Sequence, residues 1–180
     1  AVDVMAGFPW EVLQPNLVAV HLTGEMSGWT SPKDVILYVL GQLTVKGGTN
    51  RIVEYIGPGA RSISATGKGT ICNMGAELGA TTSIFPSDDK TRAFLKLQKR
   101  EKDWVELKAD PDATYDEEII IDLNTLEPLL AMPHSPDNVV KVREVAGTKV
   151  DQVCVGSCTN SSLYDLTVTA AILKGKSVNP

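Results

Sequence analysis

Short apolar runs alternate along this chain with segments whose apolar residues recur every three or four positions. The apolar runs predict strands at 17–22, 51–57, 81–85, 118–123 and 150–156, and the strand at 81–85 is expected to be buried. The helical spacing predicts helices at 31–43, 70–80, about 87–100 and 163–175. Strands that alternate with helices in this way predict an α/β fold with a parallel or mixed sheet.

Capping and breaking residues refine these elements. Ser31 can cap the first helix, and Ser87 is expected to cap the third. Each interior glycine costs a helix about 1 kcal/mol relative to alanine, so the Gly-rich helix at 70–80 predicts close packing or close backbone approach. We expect residues 101–118 to form a polar surface connection. The Pro-rich residues 128–138 are expected to form an extended linker.

Composition narrows the function. A chain of 180 residues with 43% hydrophobic and 22% charged residues can bury a globular core. Apolar runs are too short for a membrane helix, and the start does not resemble a signal peptide. The net charge of −5 argues against a nucleic-acid surface. Three cysteines are too few, and odd in number, for a disulfide framework, so we expect a reducing, cytoplasmic compartment. Because there is no initiator methionine, we expect a chain cut from something longer.

The segment VCVGSCTNSSLYDL at 153–166 carries the sharpest chemical signal. Cys158 is predicted at the entry to a helix that Asn160, Ser161 and Ser162 can cap, a position that lowers a thiol pKa. Such a thiolate can act as a nucleophile or as a ligand for a soft metal. The spacing to Cys154 matches no standard zinc or ferredoxin pattern. A small buried cysteine before a capped helix explains the segment equally well.

Outside this segment, a second helix and two histidines also carry polar side chains that could form a site. Asn73 and Glu77 are four residues apart and share one face of a helix, where they could hold a polar ligand or lie on a capped surface. The apolar residues around Glu77 favour a buried partner for it, and Cys72 is expected in the core. Neither His21, on a strand, nor His134 lies in a recognisable catalytic setting.

Four blocks together resemble the aconitase family over nearly the whole chain, most closely its mitochondrial type and bacterial relatives. The blocks are LTGEMSGWTSPKDVIL at 22–37, LTVKGGTNRIVEYIGPG at 43–59, SISATGKGTICNMGAELGATTSIFP at 62–86 and VGSCTNSSLYDL at 155–166. The resemblance implies a three-layer α/β/α domain at 15–125. It places the end of the family's first domain at 1–14, and the start of its third, carrying the first cluster cysteine, at 126–180.

The resemblance also implies a chemistry. Aconitases are hydro-lyases of the tricarboxylic acid cycle that interconvert citrate and isocitrate through cis-aconitate, using a 4Fe–4S cluster as a Lewis acid. Carried over by motif, Cys158 is a metal-binding cluster ligand, Asn73 is a cofactor-binding and catalytic residue, and Glu77 is a catalytic residue that pairs with a histidine. No role carries over to Asn160 or Ser161.

Several family features are missing from the sequence. It lacks the downstream C-x-x-C, the upstream Asp-Ser-His, the substrate-binding arginines and the catalytic serine. We therefore expect an inactive internal fragment, without the cluster that the full-length parent holds. Its expected partners are the remaining domains of the same chain and, in the parent, citrate, cis-aconitate and isocitrate. No membrane or nucleic-acid partner is expected. The expected location is cytoplasmic, or the mitochondrial matrix if the source is eukaryotic.

Three alternatives stay open at this point. The parent could be a related hydro-lyase acting on methylcitrate, isopropylmalate or homoaconitate. The chain could be an RNA-binding aconitase-like module, against which its acidic balance and lack of a basic, aromatic stripe argue. It could also be an enzyme that uses Cys158 as a nucleophile, which would require a nearby base.

Overall fold

A computed structural model describes residues 2–177. Its α-helices are α1 (Val2–Met5), α2 (Pro32–Leu43), α3 (Pro58–Ser62), α4 (Ala65–Met74), α5 (Asp89–Leu97) and α6 (Leu163–Leu173). Its strands are β1 (Asn16–Thr23), β2 (Arg51–Ile56), β3 (Thr82–Ile84), β4 (Glu117–Asp122), β5 (Leu129–Ala131) and β6 (Val139–Lys141). Short 3-10 helices occur at Gly75–Leu78, Glu101–Asp103 and Val142–Val145.

The first four strands form one parallel sheet in the order β3–β2–β1–β4, flanked by helices. The predicted α/β class is therefore confirmed. Val18, Val20 and Leu22 alternate along β1 and are fully buried. Val20 and Leu22 pack in one cluster with residues of β2, β4, α2 and α4, and burial of each such side chain stabilises the fold by about 1.5–3 kcal/mol. None of the helices in residues 2–177 is long and apolar enough to span a membrane.

Helix α2 begins as its sequence predicts. Ser31 and Asp34 form a capping box, in which the Ser31 backbone N–H donates to Asp34 Oδ2 at 2.6 Å. The other oxygen, Oδ1, accepts the backbone N–H of Leu129 at 2.7 Å. At the far end, Asp137 Oδ2 accepts the backbone N–H of Val45 at 3.0 Å. One carboxylate belongs to α2 and the other to the segment between β5 and β6, and together these two hydrogen bonds hold the residues around β5 and β6 against α2.

Residues 128–138 are therefore not the extended linker that their prolines suggested. Strands β5 and β6 pair as an antiparallel hairpin, with Leu130 opposite Val140. Apolar side chains from both strands pack against the main core, and this burial, with the two carboxylate contacts, explains why the segment is ordered along α2.

The Gly-rich helix starts earlier than predicted. Helix α4 begins at Ala65 because Ser64 caps it, accepting the backbone N–H of Gly67 at 3.1 Å. Its last turn narrows into the 3-10 helix Gly75–Leu78. The expectation of close approach is confirmed at Gly75, where a Cβ would collide with the hydroxyl of Ser83, but is wrong at Gly69, which faces open space.

Two predictions near β3 are also wrong. Residues 81–85 were expected to form a buried strand, but β3 is the edge strand and Ile84 is 43% exposed. Helix α5 is capped by Asp88, which accepts the backbone N–H of Thr91 at 3.2 Å. Ser87 does not cap the helix. Its backbone instead forms an antiparallel bridge with Leu107, a residue of the polar connection at 101–118.

The strand predicted at 150–156 does not form. These residues lie outside regular structure, and Val153 is 77% exposed. A strand needs a neighbour to satisfy its backbone groups, and none of the strands in residues 2–177 pairs with this segment. The helix that follows is confirmed as α6, although it ends at Leu173.

Candidate functional site

The loop that carries Cys158 lies against the end of α4. The hydroxyl of Thr159 donates to Asn73 Oδ1 at 3.2 Å. The hydroxyl of Thr70, one turn earlier on α4, donates to the backbone carbonyl of Thr159 at 3.2 Å. These contacts join positions 86 and 89 residues apart in the sequence. They bring two of the predicted site residues, Asn73 and Cys158, into the same neighbourhood.

Cys158 is exposed at the surface of this loop. Hydrogen bonds from the hydroxyls of Ser157 and then Thr159 hold the pKa of its thiol below the usual value, against the opposing charge of Glu77. The lowered pKa was predicted, but its expected cause, a helix N-terminus, was wrong. Helix α6 starts only at Leu163, and the hydroxyl groups beside the sulfur have the larger effect.

The three polar residues after Cys158 have different partners. Ser162 caps α6 in a capping box with Asp165, as the sequence predicted. Ser161 instead donates its hydroxyl to the backbone carbonyl of Ser157. Asn160 places its Oδ1 out of solvent without a hydrogen-bond partner among the residues described. Ser162 is therefore the residue that caps α6, and Ser161 bonds within the loop.

Glu77 lies one turn beyond Asn73, in the 3-10 helix Gly75–Leu78. Its side chain is exposed, so the expected buried partner is not found within residues 2–177. Glu77 and Thr159 line an open cavity of about 520 Å³ together with Lys33 of α2 and apolar side chains of the hairpin. The cavity therefore brings the Glu77 carboxylate next to the loop that carries Cys158.

The other cysteines and the histidines lie apart from this recess. Cys72 is partly buried, and its burial raises the pKa of its thiol to about 11. Cys154 is exposed in the irregular segment before the loop. His21 Nε2 lies 3.4 Å from Glu118 Oε2 on the sheet, and His134 is exposed in the hairpin turn.

The described residues fit an iron–sulfur cluster only in part. A thiol with a lowered pKa suits a metal thiolate, and Cys158 provides one beside Asn73 and Glu77. Within residues 2–177, however, no three His, Cys, Asp or Glu side chains converge to hold a metal ion. A complete cluster site is therefore not assembled by this part of the chain.

Thr70 and Thr159 are the site residues that sequence reasoning missed. Thr70 precedes Asn73 by three residues, so both lie on one face of α4, and this spacing was a usable signal. Thr159 follows the cysteine directly and offers both a hydroxyl and a carbonyl. Its long-range partners could not be deduced from local spacing.

Together, the parallel sheet and the docked cysteine loop define an α/β protein that presents a cysteine thiol near an amide and a carboxylate. Residues 1–149 match the Aconitase family (aconitate hydratase). The chain belongs to this family.

Similarity to individual proteins extends through the cysteine loop. The chain is 52% identical to the mitochondrial aconitate hydratase of Saccharomyces cerevisiae and 50% identical to that of Aspergillus fumigatus. It is 49% identical to a probable mitochondrial aconitate hydratase of Caenorhabditis elegans. Each alignment covers 97% of this chain but 24% of the relative, so the chain spans about a quarter of the length of these proteins.

Proposed function

We propose that this chain is part of an aconitate hydratase, a lyase that interconverts citrate and isocitrate through cis-aconitate in the tricarboxylic acid cycle. The observation that carries the proposal is about 50% identity to aconitate hydratases over 97% of the chain. The placement of Asn73 and Glu77 near the Cys158 loop supports it. The names of the relatives support the mitochondrial matrix as the compartment in a eukaryotic source.

In this proposal Cys158 is one thiolate ligand of a 4Fe–4S cluster, and the other ligands come from parts of the enzyme outside this segment. When bound, such a cluster supplies a Lewis acid for the substrate hydroxyl. Asn73 offers a carboxamide to the groups beside the cluster. Glu77 offers a carboxylate that can orient a histidine or hold a proton, a role that suits its position in the open recess.

The exposed surface of the chain agrees with a place inside a larger enzyme. None of the residues of α6 is buried, and Leu163 is 83% exposed. At the other end, Trp10 is 73% exposed. We propose that further parts of the same enzyme cover these surfaces. Residues 1–14 would then end the first aconitase domain, 15–125 would form the second, and 126–180 would begin the third.

Reconstitution with iron and sulfide tests this function. The isolated chain should show no hydratase activity and no stoichiometric cluster absorbance, since no three candidate metal ligands converge within residues 2–177. A stable, stoichiometric 4Fe–4S spectrum from this chain alone would contradict the proposal.

The matched experiment uses the protein translated from the complete reading frame around this segment. There, Cys158→Ser should abolish the cluster spectrum and the hydration of cis-aconitate. Cys154→Ser, a neighbouring exposed cysteine, should leave both in place. Equal loss in the two variants would remove the specific role assigned to Cys158.

A further inference from the structure

We propose that Thr159 is a positioning residue, whose hydroxyl orients the Asn73 carboxamide and whose carbonyl fixes the Cys158 loop on α4. The contacts themselves are independent of any activity. Their use, to present Cys158 and Asn73 together to a substrate, rests on the proposed function.

The position of the loop depends on few interactions. Residues 150–161 lie outside helices and strands, and none of the residues of α6 is buried. Across residues 2–177, the hydrogen bonds that connect 150–177 to the rest of the chain both run through Thr159. Its two polar groups therefore anchor a loop that has little buried apolar surface to hold it.

The side-chain contact also sets the chemistry that Asn73 presents. A carboxamide has an acceptor oxygen and a donor NH2 group on opposite branches. Because Thr159 donates to Oδ1 of Asn73 at 3.2 Å, the NH2 group points away from Thr159. Asn73 is thereby held as a hydrogen-bond donor toward an oxygen-rich ligand.

The two threonines contribute unequally. Thr70 has one hydroxyl proton, and its oxygen lies 3.2 Å from the Thr159 carbonyl and 3.3 Å from the carbonyl of Thr66. The proton is shared between these acceptors, so the Thr70 contact is the weaker anchor. The Thr159 oxygen lies 3.2 Å from Asn73 Oδ1 and 4.0 Å from Cys158 Sγ. Because sulfur is the weaker acceptor and lies farther away, the proton goes mainly to Asn73, and we expect this hydroxyl to matter more.

NMR on this chain tests the proposal without cluster or substrate. Thr159→Val removes the hydroxyl and keeps the shape. It should lower the ratio of docked to undocked loop by about three- to tenfold, the range expected for one net hydrogen bond. The backbone amides at 156–161 should then become more mobile in relaxation measurements, and the Asn73 side-chain NH2 signals should shift. Thr70→Val should have a smaller effect on both readouts.

Two controls separate positioning from general damage. Thr159→Ser keeps the hydroxyl and should retain both the loop mobility and the Asn73 signals of the unaltered chain. Thr167→Val removes an exposed hydroxyl that bonds only within α6, to the Leu163 carbonyl, and should change neither readout. Unchanged loop mobility and unmoved Asn73 signals in Thr159→Val would overturn the proposal, as would a Ser variant that behaves like Val. Failure of cluster reconstitution would instead bear on the proposed function.

Discussion

The sheet unit, residues 16–123, and the C-terminal segment, residues 150–173, are stabilised in different ways. In the sheet unit, β1 and α2 contribute a continuous set of fully buried side chains. In the C-terminal segment no residue is buried, and its hydrogen bonds to the rest of the chain, within residues 2–177, run through Thr159. Asn73 and Glu77 belong to the first region and Cys158 to the second. The candidate site therefore spans the boundary between a self-supporting fold and a segment that depends on others.

Deleting buried leucine atoms should expose this difference most strongly. Leu40 of α2 is fully buried, whereas Leu163 of α6 is 83% exposed. Leu40→Ala should lower the free energy of unfolding by about 2–5 kcal/mol, through lost burial and a cavity. Leu163→Ala should change it by less than about 0.5 kcal/mol. Urea denaturation of the two variants measures both values, and equal losses would contradict the comparison.

The second largest difference is expected in the reactivity of the thiols, Cys72 in the sheet unit and Cys158 in the C-terminal segment. Burial raises the pKa of Cys72 to about 11, so its thiolate is more than about a hundredfold scarcer at neutral pH than that of an ordinary cysteine. Hydroxyl contacts lower the pKa of Cys158. Near neutral pH, the fraction of thiolate sets the rate of alkylation. Iodoacetamide at roughly pH 7.5 should therefore modify Cys158 well before Cys72. Mass spectrometry of tryptic peptides would refute this order if Cys72 reacted first.

The third comparison, between one ion pair in each region, should give the smallest difference. The quantity compared is the free energy of unfolding lost when the pair is broken. In the sheet unit Lys68, 6% exposed, pairs with Asp88 at 2.6 Å. In the C-terminal region Lys149 pairs with Asp151 at 3.4 Å, with both side chains almost fully exposed. Asp88→Asn should cost about 1–2 kcal/mol because it leaves a buried ammonium unpaired. Asp151→Asn should have no measurable effect.

The Asp88 pair also predicts a pH dependence. Desolvation would raise the pKa of Asp88, but the hydrogen bond from Lys68 and those from Thr91 outweigh it and hold the pKa below its usual value. Its contribution to stability is therefore complete above the unfolded-state pKa, about 3.9, and is lost as the pH falls through the lower folded-state pKa. Asp88→Asn should flatten the stability profile in this acidic range. An unchanged profile would show that the pair is not formed.

Secondary structure was predicted best where residues adjacent in the sequence decide which element forms. Alternating or helical apolar patterns located β1, β4 and α2 because these elements bury their own faces in one core. The same kind of pattern at 150–156 failed, since an apolar run becomes a strand only beside a partner. The choice between Ser87 and Asp88 as a cap was also beyond local rules, because the pairing of Ser87 with Leu107 decides it.

For the candidate site, too, local sequence predicted the individual residues but not the contacts between them. Local chemistry pointed to Cys158, and helical spacing pointed to Asn73 and Glu77, but their catalytic and ligand roles remain predictions. Their proximity depends on Thr159, whose hydrogen bonds reach 86 and 89 residues back along the chain. Contacts of this range are set by tertiary packing, and no local periodicity encodes them.

The docking of the cysteine loop on α4 can be measured directly by NMR. The account predicts nuclear Overhauser cross-peaks between the side-chain protons of Thr159 and those of Asn73, since Thr159 Oγ1 and Asn73 Oδ1 are 3.2 Å apart. The Tyr115 ring and the Glu54 side chain, joined by a 2.9 Å hydrogen bond at the sheet, provide the internal reference. Cross-peaks for both pairs would support the docked site. A reference cross-peak without one between Thr159 and Asn73 would contradict it.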